Sequence, residues 1–135
     1  MNIELERKIA EEFSWMLPRD DTNQDPKFID DLYAAFGIEC GDGWYEVIRG
    51  LCRDITDAYE QAGLPVDVQI FQIKEKYGTL RFYQSCCKEM YDIVEDLISK
   101  WEDVSEVTCE VCGKPGVIYD KGWVMVRCEE CRAAR

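Results

Sequence analysis

The chain contains no histidine among its 135 residues. That removes the commonest general base and the usual nitrogen ligand of catalytic zinc, and with it every Ser-His and Cys-His nucleophilic mechanism. No apolar run approaches the roughly 20 residues that span a bilayer. The opening MNIELERKIAEEF is acidic and amphipathic, unlike the basic and then apolar start of a signal peptide. A cytoplasmic location is therefore expected. Positive charge is also scarce. With 28 Asp and Glu against 16 Lys and Arg, the formal net charge is −12, which opposes long-range attraction to nucleic-acid backbones and anionic membranes. Neither is an expected partner of the molecule as a whole, and any nucleic-acid contact would be local.

What is present suffices for a folded protein: 47% of residues are hydrophobic and 33% charged, far from the composition of disordered chains. The length fits one domain with a small appendage. Leu5, Ile9, Phe13 and Met16 recur at helical spacing until Pro18. Asp25-Pro26 then offers an N-cap followed by proline at the first helical position, with Phe28, Leu32 and Phe36 as the stripe and Gly37 as the stop. A third helix, capped by Asp42, carries Trp44, Val47, Ile48, Leu51, Ile55 and Ala58 and closes at Gly63 and Pro65. From Val66 the period changes. VDVQIFQIKEK and TLRFY flank Tyr77-Gly78, which predicts a hairpin over about 66–84 that turns between Lys76 and Thr79. Met90, Ile93, Val94, Leu97, Ile98 and Trp101 then form the apolar face of a further helix.

Charge divides the chain as well. Residues 1–65 hold 15 acids and 6 bases, whereas residues 104–135 hold five of each. The expected fold class is α+β: a helix-rich body over 1–103 containing the hairpin, and a zinc-ribbon-like module over 104–135. Cys109-Glu-Val-Cys112 and Cys128-Glu-Glu-Cys131 are two C-x2-C pairs 15 residues apart, the spacing of a four-cysteine zinc site. Two thiolates three positions apart on a tight turn take two vertices of a tetrahedron, and the second pair supplies the others. Gly113 lets the backbone turn under the metal, and strands over 117–119 and 123–127 would complete the ribbon. Four thiolates leave no open coordination position, so the expected Zn²⁺ is structural.

Rubredoxin-like iron would use the same ligands. Two disulfides would need an oxidising compartment. A thioredoxin-like role fits less well, because neither pair is expected to open a helix after a strand. Of the remaining cysteines, Cys52 falls on the apolar face of the third helix, and Cys40, Cys86 and Cys87 carry no evident chemistry.

Two surfaces are candidates for binding. Asp20, Asp21, Asp25, Asp30 and Asp31 form an acidic cluster suited to a basic protein surface. Lys74, Lys76, Tyr77, Arg81 and Tyr83 form a basic and aromatic set on the hairpin, suited to a small ligand or a nucleic-acid base. Catalysis is not expected. The adjacent pairs Glu11-Glu12, Asp30-Asp31 and Glu129-Glu130 diverge on a helix and form no converging acid/base site.

GDGWYEVIRGLC, followed by QIKEKYGTLRFY, then CEVCGKPG, a GW and a closing C-x-x-C, resembles a family of small uncharacterised proteins encoded by tailed bacteriophages and prophages. The resemblance covers about residues 41 to 131 and rests on the ordered combination. It implies a phage-type origin, supports the terminal zinc ribbon and points to a host protein as partner, such as a nucleic-acid-binding or defence factor. It supplies no catalytic residues.

Overall fold

The computed structural model describes residues 1–17 and 32–134. The fold is α+β, and its elements run α1 (Ile3–Glu12), α2 (Leu32–Phe36), β1 (Ile38–Glu39), α3 (Tyr45–Ala62), β2 (Gln69–Lys76), β3 (Thr79–Ser85), α4 (Lys88–Ser105), β4 (Val117–Tyr119), β5 (Met125–Arg127) and α5 (Glu129–Ala133).

The hairpin forms where its sequence places it. Tyr77 and Gly78 both take positive φ, 54° and 78°, the two left-handed residues of a tight hairpin turn, and Lys76 pairs with Thr79. Register then sorts the side chains. Ile73 faces Phe82 on the buried side, while Lys74 faces Arg81 and Gln72 faces Tyr83 on the other. A bulge between Ile70 and Gln72 breaks the alternation and leaves Phe71 exposed.

The short strand β1 adds to β2 in parallel, Ile38 against Ile73, giving the order β1-β2-β3. Two residues carry no strand signal of their own. Glu6 of α1 accepts the Ile38 backbone N–H and holds this strand in place. At the opposite edge, Ser105 Oγ accepts the outward Leu80 N–H at 2.9 Å, which satisfies an edge donor that would otherwise be buried without a partner.

α3 packs against α4, and α4 lies along β3. Ile48, Leu51, Ile55 and Tyr59 of α3 join Met90, Val94 and Ile98 of α4 and Ile70, Ile73, Leu80 and Phe82 of the sheet in one buried cluster. Gly50 is required where the helices cross: a Cβ there would lie 2.2 Å from the Trp101 ring. α3 ends as its sequence indicates, with Gly63 left-handed at the cap. On its other side, Arg49 forks onto Glu12 at 2.7 and 3.0 Å and ties the end of α1 to α3.

Several local expectations are corrected. α1 stops at Glu12, and Ser14–Met16 continue as a single tighter turn, which still buries Phe13 and Met16. In α2 the inward residue is Tyr33, its hydroxyl donating to Met16 O, whereas Leu32 and Phe36 are exposed; the Asp25-Pro26 start and Phe28 predicted for this helix lie outside the described residues. Asp42 does not cap α3. It lies in a tight turn over Asp42–Trp44, and its carboxylate accepts the Asn2 N–H at 2.7 Å. Ile93 is exposed because α4 buries only the narrower stripe of Met90, Val94 and Ile98. The polar EDVS after Trp101 is the last turn of α4.

The cysteine segment is built onto this body. Trp44, fully buried, donates its indole N–H to Thr108 O at 2.9 Å. Gly43 N–H donates to Glu110 O at 2.8 Å, and Gly41 N–H to Glu110 Oε2 at 2.8 Å. Val126 of β5 belongs to the central buried cluster. Contact is so close that a Cβ on Gly43 would sit 2.2 Å from Cys109 O. Gly43→Ala should therefore destabilise the protein by about 1–3 kcal/mol through overpacking against backbone, read from urea unfolding; unchanged stability would show that the two segments separate easily.

Candidate metal centre

Each half of the centre begins as a backbone turn. In the first, Cys109 N–H donates to Lys114 O and Gly113 N–H returns to Cys109 O at 2.9 Å, with Gly113 at φ +83°. This knuckle projects Cys109 and Cys112 to one side. The second half differs from expectation. Cys128 follows β5 directly and caps α5, its sulfur accepting the Cys131 N–H at 3.4 Å, so this pair does open a short helix after a strand. β4 and β5 pair antiparallel, Val117 with Arg127 through Tyr119 with Met125, and bring the two halves together. Trp123 and Val124 fall in the connecting loop, outside the strand predicted for them.

The four sulfurs of Cys109, Cys112, Cys128 and Cys131 lie within 4.8 Å of one another, with Cys112 and Cys128 3.5 Å apart. A tetrahedron of metal–sulfur bonds about 2.3 Å long has edges of about 3.8 Å. The donor set fits a tetrahedral, thiophilic metal ion, and all eight cysteines are free of disulfides. Comparison with protein-family models, curated proteins and solved structures finds no match. The chemistry of the site therefore rests on its donors.

Burial by itself raises the Cys109 thiol, but the backbone N–H groups of Cys128, Cys112 and Val111 stabilise the thiolate and bring it down to about 6. Hydrogen bonding to Cys128 and Cys112, followed by burial, pushes Cys131 up to about 12. The thiols thus share protons that a metal must displace, and acid competes with metal for the same sulfurs.

Glu110, inside the first pair, gives no signal in the sequence. Its carboxylate accepts from Gly41 and pairs with Arg127 at 3.5 Å, so it links the knuckle both to the body and to β5. The remaining cysteines lie elsewhere. Cys40 and Cys52 are buried, and burial raises both thiols, Cys40 to about 12. Cys87 caps α4, its N–H donating to Asp67, which also accepts from the buried Tyr59 hydroxyl.

The two candidate binding sets fare differently. Asp20, Asp21, Asp25, Asp30 and Asp31 lie outside the described residues. In the hairpin set, Arg81 is paired with Glu102 at 3.8 Å and Tyr83 lies further along β3, so they do not converge with the tip. Lys74, Lys76 and Tyr77 do converge, and Trp123 and Val124 of the β4–β5 loop join them around a cavity of about 300 Å³.

Purified protein should carry one equivalent of metal by elemental analysis, and occupancy should fall as pH is lowered because the thiolates take up protons. Replacing Cys109 and Cys128 by Ser should abolish binding; full occupancy in that variant would remove the assignment. Chelation should also disturb the body. The near-ultraviolet circular dichroism of buried Trp44 should change, because its hydrogen-bond acceptor at Thr108 precedes the first metal ligand.

Proposed function

We propose that this chain is a non-enzymatic, zinc-stabilised acidic interaction protein that binds a basic protein partner. The donor set carries the first part of this reading. Four thiolates fill the coordination of Zn²⁺, leaving it structural, and they close a segment of about thirty residues against the body. Zinc is favoured over iron because it is redox-inert and is the common occupant of closed four-cysteine ribbons.

Charge carries the second part. The described residues hold 23 acids and 13 bases. On α4, exposed Glu89, Asp92, Asp96 and Asp103 fall on one outer face at helical spacing, with exposed Ile93 among them. An exposed apolar residue beside a row of carboxylates suits a basic partner surface. Asp20, Asp21, Asp25, Asp30 and Asp31 add to the same field. No helix among the described residues is long and apolar enough to cross a membrane. The resemblance to phage and prophage proteins makes the partner a bacterial host protein in the cytoplasm, with nucleic-acid-binding or defence factors the natural class because they carry basic grooves.

Affinity capture from bacterial lysate at low and high salt tests this reading. A specific partner should be retained at low salt and lost as salt screens the contact. Two charge-reversed variants, Asp20, Asp21, Asp30 and Asp31→Lys and Asp92 and Asp96→Lys, should each slow association with little effect on folding. Equal association rates for parent and both variants would reduce the acidity to a solvated exterior.

A further inference from the structure

Among the described residues, just over half of the cationic side chains are already paired. Of the 13 described Lys and Arg residues, seven sit in ion pairs with carboxylates. The six without one are Lys8, Lys74, Lys76, Lys88, Lys121 and Arg132, and four of these, Lys74, Lys76, Lys121 and Arg132, line two cavities that meet at Trp123. Among the described residues, free cationic charge is thus concentrated around one indole, with Asp120 and Glu75 as the acids on the same walls, in a chain of net charge −12.

The indole itself is exceptional. Trp123 is 78% exposed and Tyr77 69%, although the two residues sit on different hairpins. Packing of the turns explains their approach: a Cβ on Gly78 would lie 3.6 Å from both Ile118 Cγ1 and Val124 Cγ1, so the β2–β3 tip rests against the β4–β5 ribbon. Between the tips is the cavity of about 300 Å³, with Trp123, Tyr77 and Val124 as apolar lining and Lys74 and Lys76 at its edge. Lys76 Nζ stands 5.7 Å from the Tyr77 ring centroid. Glu75 also lines this cavity, but its carboxylate is engaged, accepting the Gly78 N–H at 2.8 Å. On the far side of Trp123, Arg132 stacks on Tyr119 at 3.9 Å and borders the second cavity, of about 210 Å³.

We propose that the cleft between the two hairpin tips binds a nucleoside monophosphate, its base against Trp123 and Tyr77 and its phosphate at Lys74 and Lys76. Aromatic faces exposed at a concave site match a planar ring. Two unpaired ammonium groups match one phosphate, which carries a charge of about −1.5 to −2 near neutral pH. A longer nucleic acid is disfavoured, because each added phosphate meets the field of the acidic body while the cations stay local. This site is distinct from the acidic α4 face and from the metal ligands, so its failure would leave the interaction reading standing.

The test is titration of the full, metal-loaded chain with AMP and CMP, followed by tryptophan fluorescence and calorimetry. Trp123 is the tryptophan that solvent reaches most freely, since Trp44 is buried and Trp15 and Trp101 are partly buried. Saturable quenching with a Kd of about 1 mM or below is expected. Adenosine and inorganic phosphate, each supplying half the ligand, should bind roughly tenfold more weakly or worse. Trp123→Ala and the double variant Lys74→Gln, Lys76→Gln should each weaken AMP binding by about tenfold, with far-ultraviolet circular dichroism unchanged because none of these side chains makes a hydrogen bond or ion pair among the described residues. Absence of saturation up to roughly 5 mM, or equal binding by parent and both variants, would overturn the site. Tighter binding of a single-stranded oligonucleotide than of AMP in moderate salt would also overturn it, in favour of a strand-binding surface.

Discussion

The contact on which this structure turns is that between the buried Trp44 and the approach to the first metal knuckle. Its indole N–H reaches Thr108 O, while Gly41 and Gly43 on one side and Glu110 on the other interlock through backbone. Neither partner tolerates a larger residue at the crossing. Trp44 also leads into α3, whose stripe organises the core. Through this one junction, the geometry of the thiolates and the packing of the helices constrain each other. The cysteine segment thereby gains a rigid wall to rest on beside its cluster of four sulfurs.

Electrostatics in the centre follow from the same arrangement. Four thiolates around a divalent cation would carry two net negative charges, in a protein already acidic. Backbone donors offset part of this: the N–H groups of Cys128, Cys112 and Val111 favour the Cys109 thiolate. Arg127 and Lys114 sit close by, each paired with a glutamate of the C-x-x-C pairs, Glu110 and Glu130. Two of the three acids between the cysteines, Glu110 and Glu130, therefore have partners, and Glu110 braces its turn against the body.

Charge is otherwise segregated. Carboxylates occupy the outer face of α4, while four of the six unpaired cations among the described residues line the cavities around Trp123. The two surfaces are carried by different elements, and each is anchored by the shared core. A basic, aromatic cleft can persist in an acidic protein because screening at physiological salt limits the reach of the surrounding field to about 8 Å.

Sequence alone determined those features whose cause is local. The hairpin turn at Tyr77-Gly78 follows from Gly78 between two β-rich runs, the end of α3 from Gly63, the core stripes of α3 and α4 from helical period, and the cluster of four cysteines from paired C-x2-C spacing. Tertiary structure decided whatever depends on residues distant along the chain. The strand β1 exists because β2 and Glu6 hold it, and Tyr33 is buried in place of Leu32 and Phe36 because Met16 O lies within its reach. Asp42 is diverted from a cap by Asn2, and Glu110 becomes a brace because Gly41 is nearby. The cleft at Trp123 arises only when two hairpins distant along the chain, with turns at Tyr77-Gly78 and Gly122-Trp123, meet. Periodicity and spacing record how a residue relates to its neighbours in the chain. A partner across space leaves no such record, since its position is fixed by packing of the whole.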